Sequence, residues 1–280
     1  MLQSISKIAL TIPLLLSIAL SQNAFAEDAK REGISQLVRL LGYGGAIHNF
    51  KNYVLRGDDK YRKKSDQFFT EAKVMSNKIR EQGLDNNELV ALKSIEDMIA
   101  SYQKGLAFVK TQHETQKSLA AVIIETDAQV KVDDTAAIEG INVLRKNYTW
   151  NELESLEYNM GYGGAIHNFK NYLLRGKVKY KEKATKDFNT SVTLSSTMEK
   201  AISDAGLQTA ATDIKTTSTK YLQSIPRIQK TAEFILKSTN SRIISSMVSS
   251  SDKMVRVDDS PAINGISTLG RKYHGNKTIN

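Results

Sequence analysis

The chain has no cysteine, only three prolines among its 280 residues, and no long apolar run after residue 20. The absence of cysteine excludes disulfide bonds and covalent haem attachment. A chain of this length can still build a hydrophobic core without such cross-links. Since no later segment has about 20 consecutive apolar residues, we predict no membrane-spanning helix beyond the N-terminal region.

Residues 1–26 have the pattern of a secretory signal peptide. Lys7 supplies a short positive region, residues 8–20 form an apolar segment, and the letters AFA at 24–26 give a small-x-small cleavage site. The apolar segment is short and interrupted, although an uncleaved N-terminal anchor is the alternative. We therefore predict a mature chain that starts at Glu27 and is periplasmic or secreted.

The formal charge is +9, which becomes +8 when Lys7 leaves with the signal peptide. A basic chain suggests nucleic acid, an anionic membrane surface or an anionic ligand as partner. The export signal argues against nucleic acid, and the lysines are scattered among acidic residues at helical spacing. We therefore expect most basic side chains to lie on solvated faces, and no nucleic-acid partner.

Two segments of the chain are written twice. GYGGAIHNFKNYVLRG at 42–57 recurs as GYGGAIHNFKNYLLRG at 161–176, with 15 of 16 positions identical. VKVDDTAAIEGINVLRKNY at 130–148 corresponds to VRVDDSPAINGISTLGRKY at 255–273. The two pairs are offset by 119 and 125 residues, so the chain contains two tandem units of about 120 residues.

We divide the chain into the signal peptide, repeat 1 (27–149) and repeat 2 (150–280). The hydrophobic spacing predicts an all-α fold in which each repeat is an antiparallel hairpin of two long helices closed by a short helix. Pro226 predicts a break in the last long helix. The predicted long helices span residues 34–79 and 87–128 in repeat 1, and 152–204 and 209–249 in repeat 2.

The repeated segments carry a candidate binding site. A pair of glycines inside a helix costs about 1 kcal/mol each relative to alanine, which suggests a close approach or a small space beside it. The helix lengths predict that the Asp-Asp pair returns to the level of the glycine motif in the same repeat. The predicted ligand-binding residues are His48, Lys51, Asn52, Arg56, Asp133 and Asp134 in repeat 1, and His167, Lys170, Asn171, Arg175, Asp258 and Asp259 in repeat 2.

These side chains suit a small polar or charged ligand. Lysine and arginine would hold an anionic group, whereas the aspartates would hold an amine or a metal. One histidine and two adjacent aspartates per repeat are too few for a typical zinc site, so no metal is predicted. Non-covalent haem on His48 or Tyr43 is a minor alternative, and no cofactor is predicted. No catalytic triad or activated serine is evident, so we do not expect an enzyme.

The glycine motif followed by VKVDD or VRVDD resembles the extracytoplasmic helical sensor segments of bacterial chemoreceptors, sensor kinases and diguanylate cyclases. The resemblance covers both repeats and implies ligand-sensing helical hairpins with the motif residues near the sensing site. It implies no particular ligand. Copy one departs from the pattern at Ala136, where copy two has Pro261.

Two interpretations of the chain remain open at this point. The first is an exported sensor-type protein that binds a small polar or anionic ligand at one end of each hairpin and signals to a membrane receptor or kinase. The second is a structural or interaction protein, a periplasmic helical adaptor in which the repeated motif is a packing junction.

Overall fold

The computed structural model describes residues 27–115, 123, 126, 129–130 and 132–273, which are mainly helical and include no strand. The predicted all-α class is confirmed, whereas the predicted signal peptide lies outside the described residues. Repeat 1 contains α1 (27–41), α2 (Ala46–Arg56), α3 (Asp59–Glu81), α4 (Asn86–Thr115) and α5 (Thr135–Arg145). Repeat 2 contains α6 (Glu152–Met160), α7 (Ala165–Arg175), α8 (Val178–Ala201), α9 (Ala205–Ser224), a 3-10 turn (Pro226–Ile228), α10 (Gln229–Lys237), α11 (Ser241–Val255) and α12 (Ser260–Tyr273).

The first long helix predicted for each repeat is wrong, because it is three helices. Gly44 and Gly57 have φ angles of 78° and 70°, and Gly163 and Gly176 have 79° and 66°. These left-handed conformations suit glycine and cannot continue a right-handed helix. Hydrophobic spacing does not detect such turns, since the apolar positions resume on the other side of each glycine.

A hairpin of two long helices does form in each repeat, between α3 and α4 and between α8 and α9, but its first helix is shorter than predicted. The Asp85 carboxylate accepts from the backbone N–H of Glu88 at 2.8 Å, and the Glu88 carboxylate accepts from the N–H of Asp85 at 3.0 Å. This reciprocal pair satisfies two of the free N–H groups at the start of α4. In repeat 2, Asp204 accepts from the N–H of Leu207 at 2.9 Å and caps α9.

The predicted interruption at Pro226 is confirmed. Helix α9 ends at Ser224, and the 3-10 turn that begins at Pro226 redirects the chain into α10 and α11. The short helix of repeat 1 is not continuous with repeat 2, because residues 146–151 separate α5 from α6. The boundary predicted between residues 149 and 150 falls in that connection.

Helices α2 and α7 lie at the centre of the molecule. Every residue from Ala46 to Leu55 is buried, and so is every residue from Ala165 to Leu174. The turn before each helix places its tyrosine in the other repeat: Tyr43 packs into the core of repeat 2, and Tyr162 packs into the core of repeat 1. The two repeats therefore share a buried junction.

The backbones of the two turns touch at this junction. A Cβ atom on Gly42 would lie 3.2 Å from Cα of Gly161, and one on Gly161 would lie 3.1 Å from Cα of Gly42. Because the same position of each repeat meets its own counterpart, the junction has the reciprocal character of a two-fold interface.

No helix in the described part of the chain combines the length and the apolar character needed to cross a membrane.

A matched pair of glycine substitutions measures the packing of the junction. Gly44 and Gly83 have φ angles of 78° and 79°, but a Cβ on Gly44 would lie 3.3 Å from the side chain of Ile263 in α12, whereas no described atom lies within 4 Å of one on Gly83. We expect Gly83→Ala to lower the free energy of unfolding by about 1 kcal/mol and Gly44→Ala by about 2–4 kcal/mol. Urea unfolding measures both, and equal losses would contradict a tight inter-repeat contact.

Candidate functional site

Each histidine of the repeated motif faces an aspartate of the other repeat. Nε2 of His48 lies 3.3 Å from Oδ2 of Asp259, and Nε2 of His167 lies 3.2 Å from Oδ2 of Asp134. The predicted pairing within each repeat is therefore wrong. It assumed one straight helix, and the turn at Gly44 redirects the chain so that distance along the hairpin no longer decides which repeat a side chain faces.

Each of these carboxylates accepts hydrogen bonds from tyrosine hydroxyls of both repeats. Oδ1 of Asp259 accepts from the hydroxyl of Tyr43 in repeat 1 at 2.7 Å and from that of Tyr221 in repeat 2 at 2.6 Å. The corresponding hydroxyl donors to Oδ1 of Asp134 are Tyr162 at 2.8 Å and Tyr102 at 2.9 Å. Two donors and a nearby histidine compensate the cost of burying each carboxylate.

The two motif lysines also form hydrogen bonds with the opposite repeat. The ammonium of Lys51 donates to Oδ1 of Asn171, and the ammonium of Lys170 donates to Oδ1 of Asn52. All four side chains are buried, with residue exposures between 1% and 4%. Buried lysine is rare in proteins, so two of them in one junction form an unusual electrostatic feature.

A small cavity of about 10 Å³ lies between the two motifs. This volume is close to the space that one water molecule needs. Both histidines line the cavity, and the Nδ1 atom of each is buried without a hydrogen-bond partner among the described residues. The cavity is lined by the same five positions of each repeat: Gly42, Tyr43, Ile47, His48 and Lys51, and Gly161, Tyr162, Ile166, His167 and Lys170.

The acidic groups of the junction stay ionised. Burial by itself would raise the pKa of Asp134, but His167, Lys51 and the Tyr162 hydroxyl hold that pKa at about 2. The pKa of Asp259 is also held well below its ordinary range, against burial, by the equivalent surroundings. Both aspartates are therefore carboxylates at neutral pH, whereas burial and the neighbouring carboxylates raise the pKa of Tyr43, Tyr162 and Tyr221 well above its ordinary value.

The pKa values of both histidines and of Lys170 are lowered in the junction. Burial and, after it, the charge of Lys51 lower the pKa of His167 to about 4, against the opposing effect of Asp134. The pKa of His48 is lowered by burial and by Lys170. Burial and the charge of Arg56 lower the pKa of Lys170 to about 8. At neutral pH the imidazoles are neutral and Lys170 is mostly an ammonium ion.

The first aspartate of each predicted pair has a local role. Asp133 is exposed and accepts from the N–H of Thr135 at 3.0 Å, and Asp258 is exposed and accepts from the N–H of Ser260 at 3.0 Å. Each therefore caps the N-terminus of the closing helix, α5 or α12, and does not line the cavity.

The predicted arginines also lie outside the cavity. Nε of Arg56 lies 3.2 Å from Oδ2 of Asp252, and its Nη1 donates to the Tyr61 hydroxyl at 3.2 Å. Arg56 lines a separate cavity of about 220 Å³ between the start of α3 and α11. Nη1 of Arg175 donates to the Tyr180 hydroxyl at 3.4 Å.

Sequence reasoning missed the tyrosines that hold the aspartates. Tyr102 and Tyr221 stand 119 residues apart, the same offset as the first repeated motif, and this offset was the signal that could have found them. Part of the motif identity is structural. Nδ2 of Asn49 donates to the carbonyl oxygens of Gly44 and Gly45 at 2.7 and 2.8 Å and so stabilises the turn.

In the described part of the chain, no group of three or more His, Cys, Asp or Glu side chains is arranged to hold a metal ion. Comparisons of the chain with protein-family models, curated proteins and solved structures find no match. The resemblance to sensor modules therefore depends on the motif residues alone and stays a prediction.

Neighbouring aspartates provide a matched test of the junction. Asp259→Asn removes a buried charge that His48, Tyr43 and Tyr221 surround, and we expect it to lower the free energy of unfolding by about 2–4 kcal/mol. Asp258→Asn alters an exposed cap and should cost about 1 kcal/mol or less. Urea unfolding of both variants at pH 7 measures the difference. Losses of similar size would show that the crossed contact contributes little.

The low pKa of His167 predicts a pH dependence of stability. Its pKa is about 4 in the folded protein and about 6.5 in an unfolded chain. Since only the unfolded state takes up the proton in this range, the free energy of unfolding falls as the pH drops from about 6.5 towards 4. We expect His167→Gln to reduce the stability lost between pH 7 and pH 5 by about 2 kcal/mol.

Urea unfolding at the two pH values measures this change. His48 keeps its own contribution in the variant, so part of the pH dependence should remain. Asp134 stays ionised throughout this window because its pKa is about 2. A variant with the same pH dependence as the original chain would contradict the assignment.

Proposed function

We propose that the protein is an exported sensor-type binding protein that holds a small polar or charged ligand between its two repeats. The sequence predicts one binding site at the end of each hairpin, whereas we propose a single site that both repeats share. A membrane receptor or kinase is the signalling partner that the motif resemblance suggests. No catalytic activity is part of the proposal.

The observation that carries the proposal is the buried charge around the cavity. A junction whose only task is to join two repeats is made at least as stable by apolar side chains, because desolvating charged groups opposes folding. The chain instead buries Lys51, Lys170, His48 and His167 around a small space. Groups with strongly shifted pKa values that lie at a cavity are typical of binding sites, and the pKa of His167 is lowered to about 4 and that of Lys170 to about 8.

The crossed contacts suggest how binding would be transmitted. Any ligand in the cavity touches α2 of repeat 1 and α7 of repeat 2 at once, because equivalent positions of both repeats line it. A ligand that prefers one relative position of these helices shifts the population towards it. Such a shift would reach the closing helices through Asp134 and Asp259, because these aspartates contact the two histidines and directly precede the closing helices.

The size of the cavity favours a second candidate, the structural adaptor. A volume of about 10 Å³ admits little more than one water molecule. The lysine–asparagine pairs would then lock the repeats together permanently. The two functions differ in whether a small molecule stabilises the protein through the junction residues.

A ligand screen with paired histidine variants tests the proposal. We expect some small polar or ionic compound to raise the Tm of the purified protein, because a ligand that binds only the folded state stabilises it. The effect should disappear in His48→Gln and His167→Gln. It should persist in His113→Gln, because His113 contacts the Tyr53 carbonyl at 3.2 Å and lies outside the junction.

The adaptor predicts another result. In that case the junction variants would change the Tm of the protein alone, and no compound would act differently on them than on His113→Gln. That outcome would reject the binding function.

A further inference from the structure

The cavity that Arg56 lines lies between the two repeats. It has a volume of about 220 Å³, and its walls come from the end of α2 and the start of α3 in repeat 1 and from the end of α11 in repeat 2. These walls expose more polar than apolar surface. Four basic and two acidic side chains line it, which leaves two positive charges in excess: Arg56, Lys60, Lys253 and Arg256, and Asp58 and Asp252.

The head groups of these side chains meet at the cavity. Nε of Arg56 lies 3.2 Å from Oδ2 of Asp252, and Nη2 of Arg256 lies 3.0 Å from the same oxygen. Nζ of Lys60 lies 2.9 Å from Oδ2 of Asp58. Each of these contacts joins two residues of the lining, so charged atoms, and not only alkyl stems, lie at its wall.

One carboxylate serves both guanidinium groups. Burial by itself would raise the pKa of Asp252, but Arg56 and two further cations lower it, so this residue is a carboxylate at neutral pH. Its single negative charge balances one of the two arginines. Arg256, whose side chain is about half exposed, therefore has hydrogen-bond donors and charge left for a ligand.

Lys253 adds a cation that the common fold of the repeats does not require. It is exposed and has no hydrogen-bond or ion-pair partner among the described residues. It stands four residues before Val257, and the equivalent position before Val132 is Ala128. Since repeat 1 has alanine there, the packing shared by the two repeats does not explain the lysine.

The Tyr61 hydroxyl provides a neutral donor at the same place. Its oxygen accepts a hydrogen bond from Nη1 of Arg56 at 3.2 Å. In the described part of the chain, no acceptor takes the proton of this hydroxyl. Because a hydroxyl can accept and donate at the same time, the proton is available to an anion.

We propose that this cavity binds one phosphate group, either as the free dianion or as the terminal group of a small monoester. The two excess positive charges of the lining match the two negative charges of the ligand. Arg256 and Lys253 would bind its oxygens with charge-assisted hydrogen bonds, and Tyr61 would donate to it. The inference goes beyond the proposed function, because it concerns a different cavity that neither motif histidine lines.

The size and shape of the cavity restrict the ligand. Its volume of about 220 Å³ is below the range of about 300–1,000 Å³ that is common for drug-sized ligands. It therefore suits one small anionic group and not a large metabolite. The donors belong to α2, α3 and the end of α11, so they approach from several directions. This arrangement suits a tetrahedral anion better than a planar carboxylate.

Isothermal titration calorimetry of the purified protein tests the proposal. Sodium phosphate and glycerol phosphate are titrated separately at pH 7.5 into protein in a chloride buffer of constant ionic strength. The cavity variants are Lys253→Met and Arg256→Gln, which change exposed side chains and leave the contact of Arg56 with Asp252 in place. The control is Lys78→Met, an exposed lysine near the other end of α3.

We expect phosphate to bind the unsubstituted protein and Lys78→Met with equal affinity. Each cavity variant should bind phosphate about tenfold more weakly, because it lacks one charge-assisted hydrogen bond. Binding of inorganic phosphate alone supports the free ion as ligand, whereas binding of glycerol phosphate supports the monoester. Absence of binding by both compounds would overturn the proposal, and so would cavity variants with the affinity of Lys78→Met.

A second measurement requires no variant. Crystals soaked in tungstate, a heavier tetrahedral dianion, should show an anomalous peak among Lys253, Arg256 and Tyr61. Ordered tungstate at other positions alone would indicate an adventitious ion only and would reject the site.

The outcomes also separate this inference from the proposed function. Phosphate binding that weakens in Lys253→Met and persists in His48→Gln and His167→Gln belongs to this cavity and supports the inference. Phosphate binding that is lost in the histidine variants and unchanged in Lys253→Met supports the proposed function and rejects the inference.

Discussion

The crossed contact between each motif histidine and the aspartate of the opposite repeat is the interaction on which the rest of the structure depends. Asp259 lies 3.3 Å from His48, and Asp134 lies 3.2 Å from His167. Once a carboxylate is buried at this place, it needs hydrogen-bond donors and a balancing charge. The tyrosines of both repeats provide the donors, and the buried lysines provide the charge. The two repeats consequently form one cooperative polar unit, and neither can complete its half alone.

The reciprocal geometry explains why the motifs are nearly identical while the helices around them differ. A position such as Lys51 serves as a donor to Asn171, and its counterpart Lys170 serves Asn52. Each contact thus occurs twice, and a change in one motif would disturb a partner in the other. The distal helices contact mainly their own repeat, so different sequences can fill their cores. Repeat 2 has the 3-10 turn at Pro226, which shows that this end tolerates a different path.

Much of the fold was predictable from local signals. The pairing of two long helices in each repeat and the break at Pro226 follow from hydrophobic spacing and from a missing N–H group. The turn at Gly44 could not be predicted in this way, because the helical spacing of buried apolar residues continues on both sides of it. Among the site residues, His48, Lys51 and Asp134 were recognised from the repeat and do lie at the junction. Asp133 and Arg56 share the repeat but have other contacts, since identity alone does not distinguish a cap or a surface pair from a buried group.

The amino-acid sequence by itself determined that the chain is helical, that it is built from two equivalent units, and which polar side chains are under common constraint. Only the tertiary structure decided with which partner each of them pairs. Pairing within a repeat and pairing between repeats use the same residues at the same spacing, so no local pattern separates them. The choice follows from the direction that the chain takes after its left-handed turn and from the close contact of Gly42 with Gly161. Both are properties of packed backbones, which become defined when the two repeats come together.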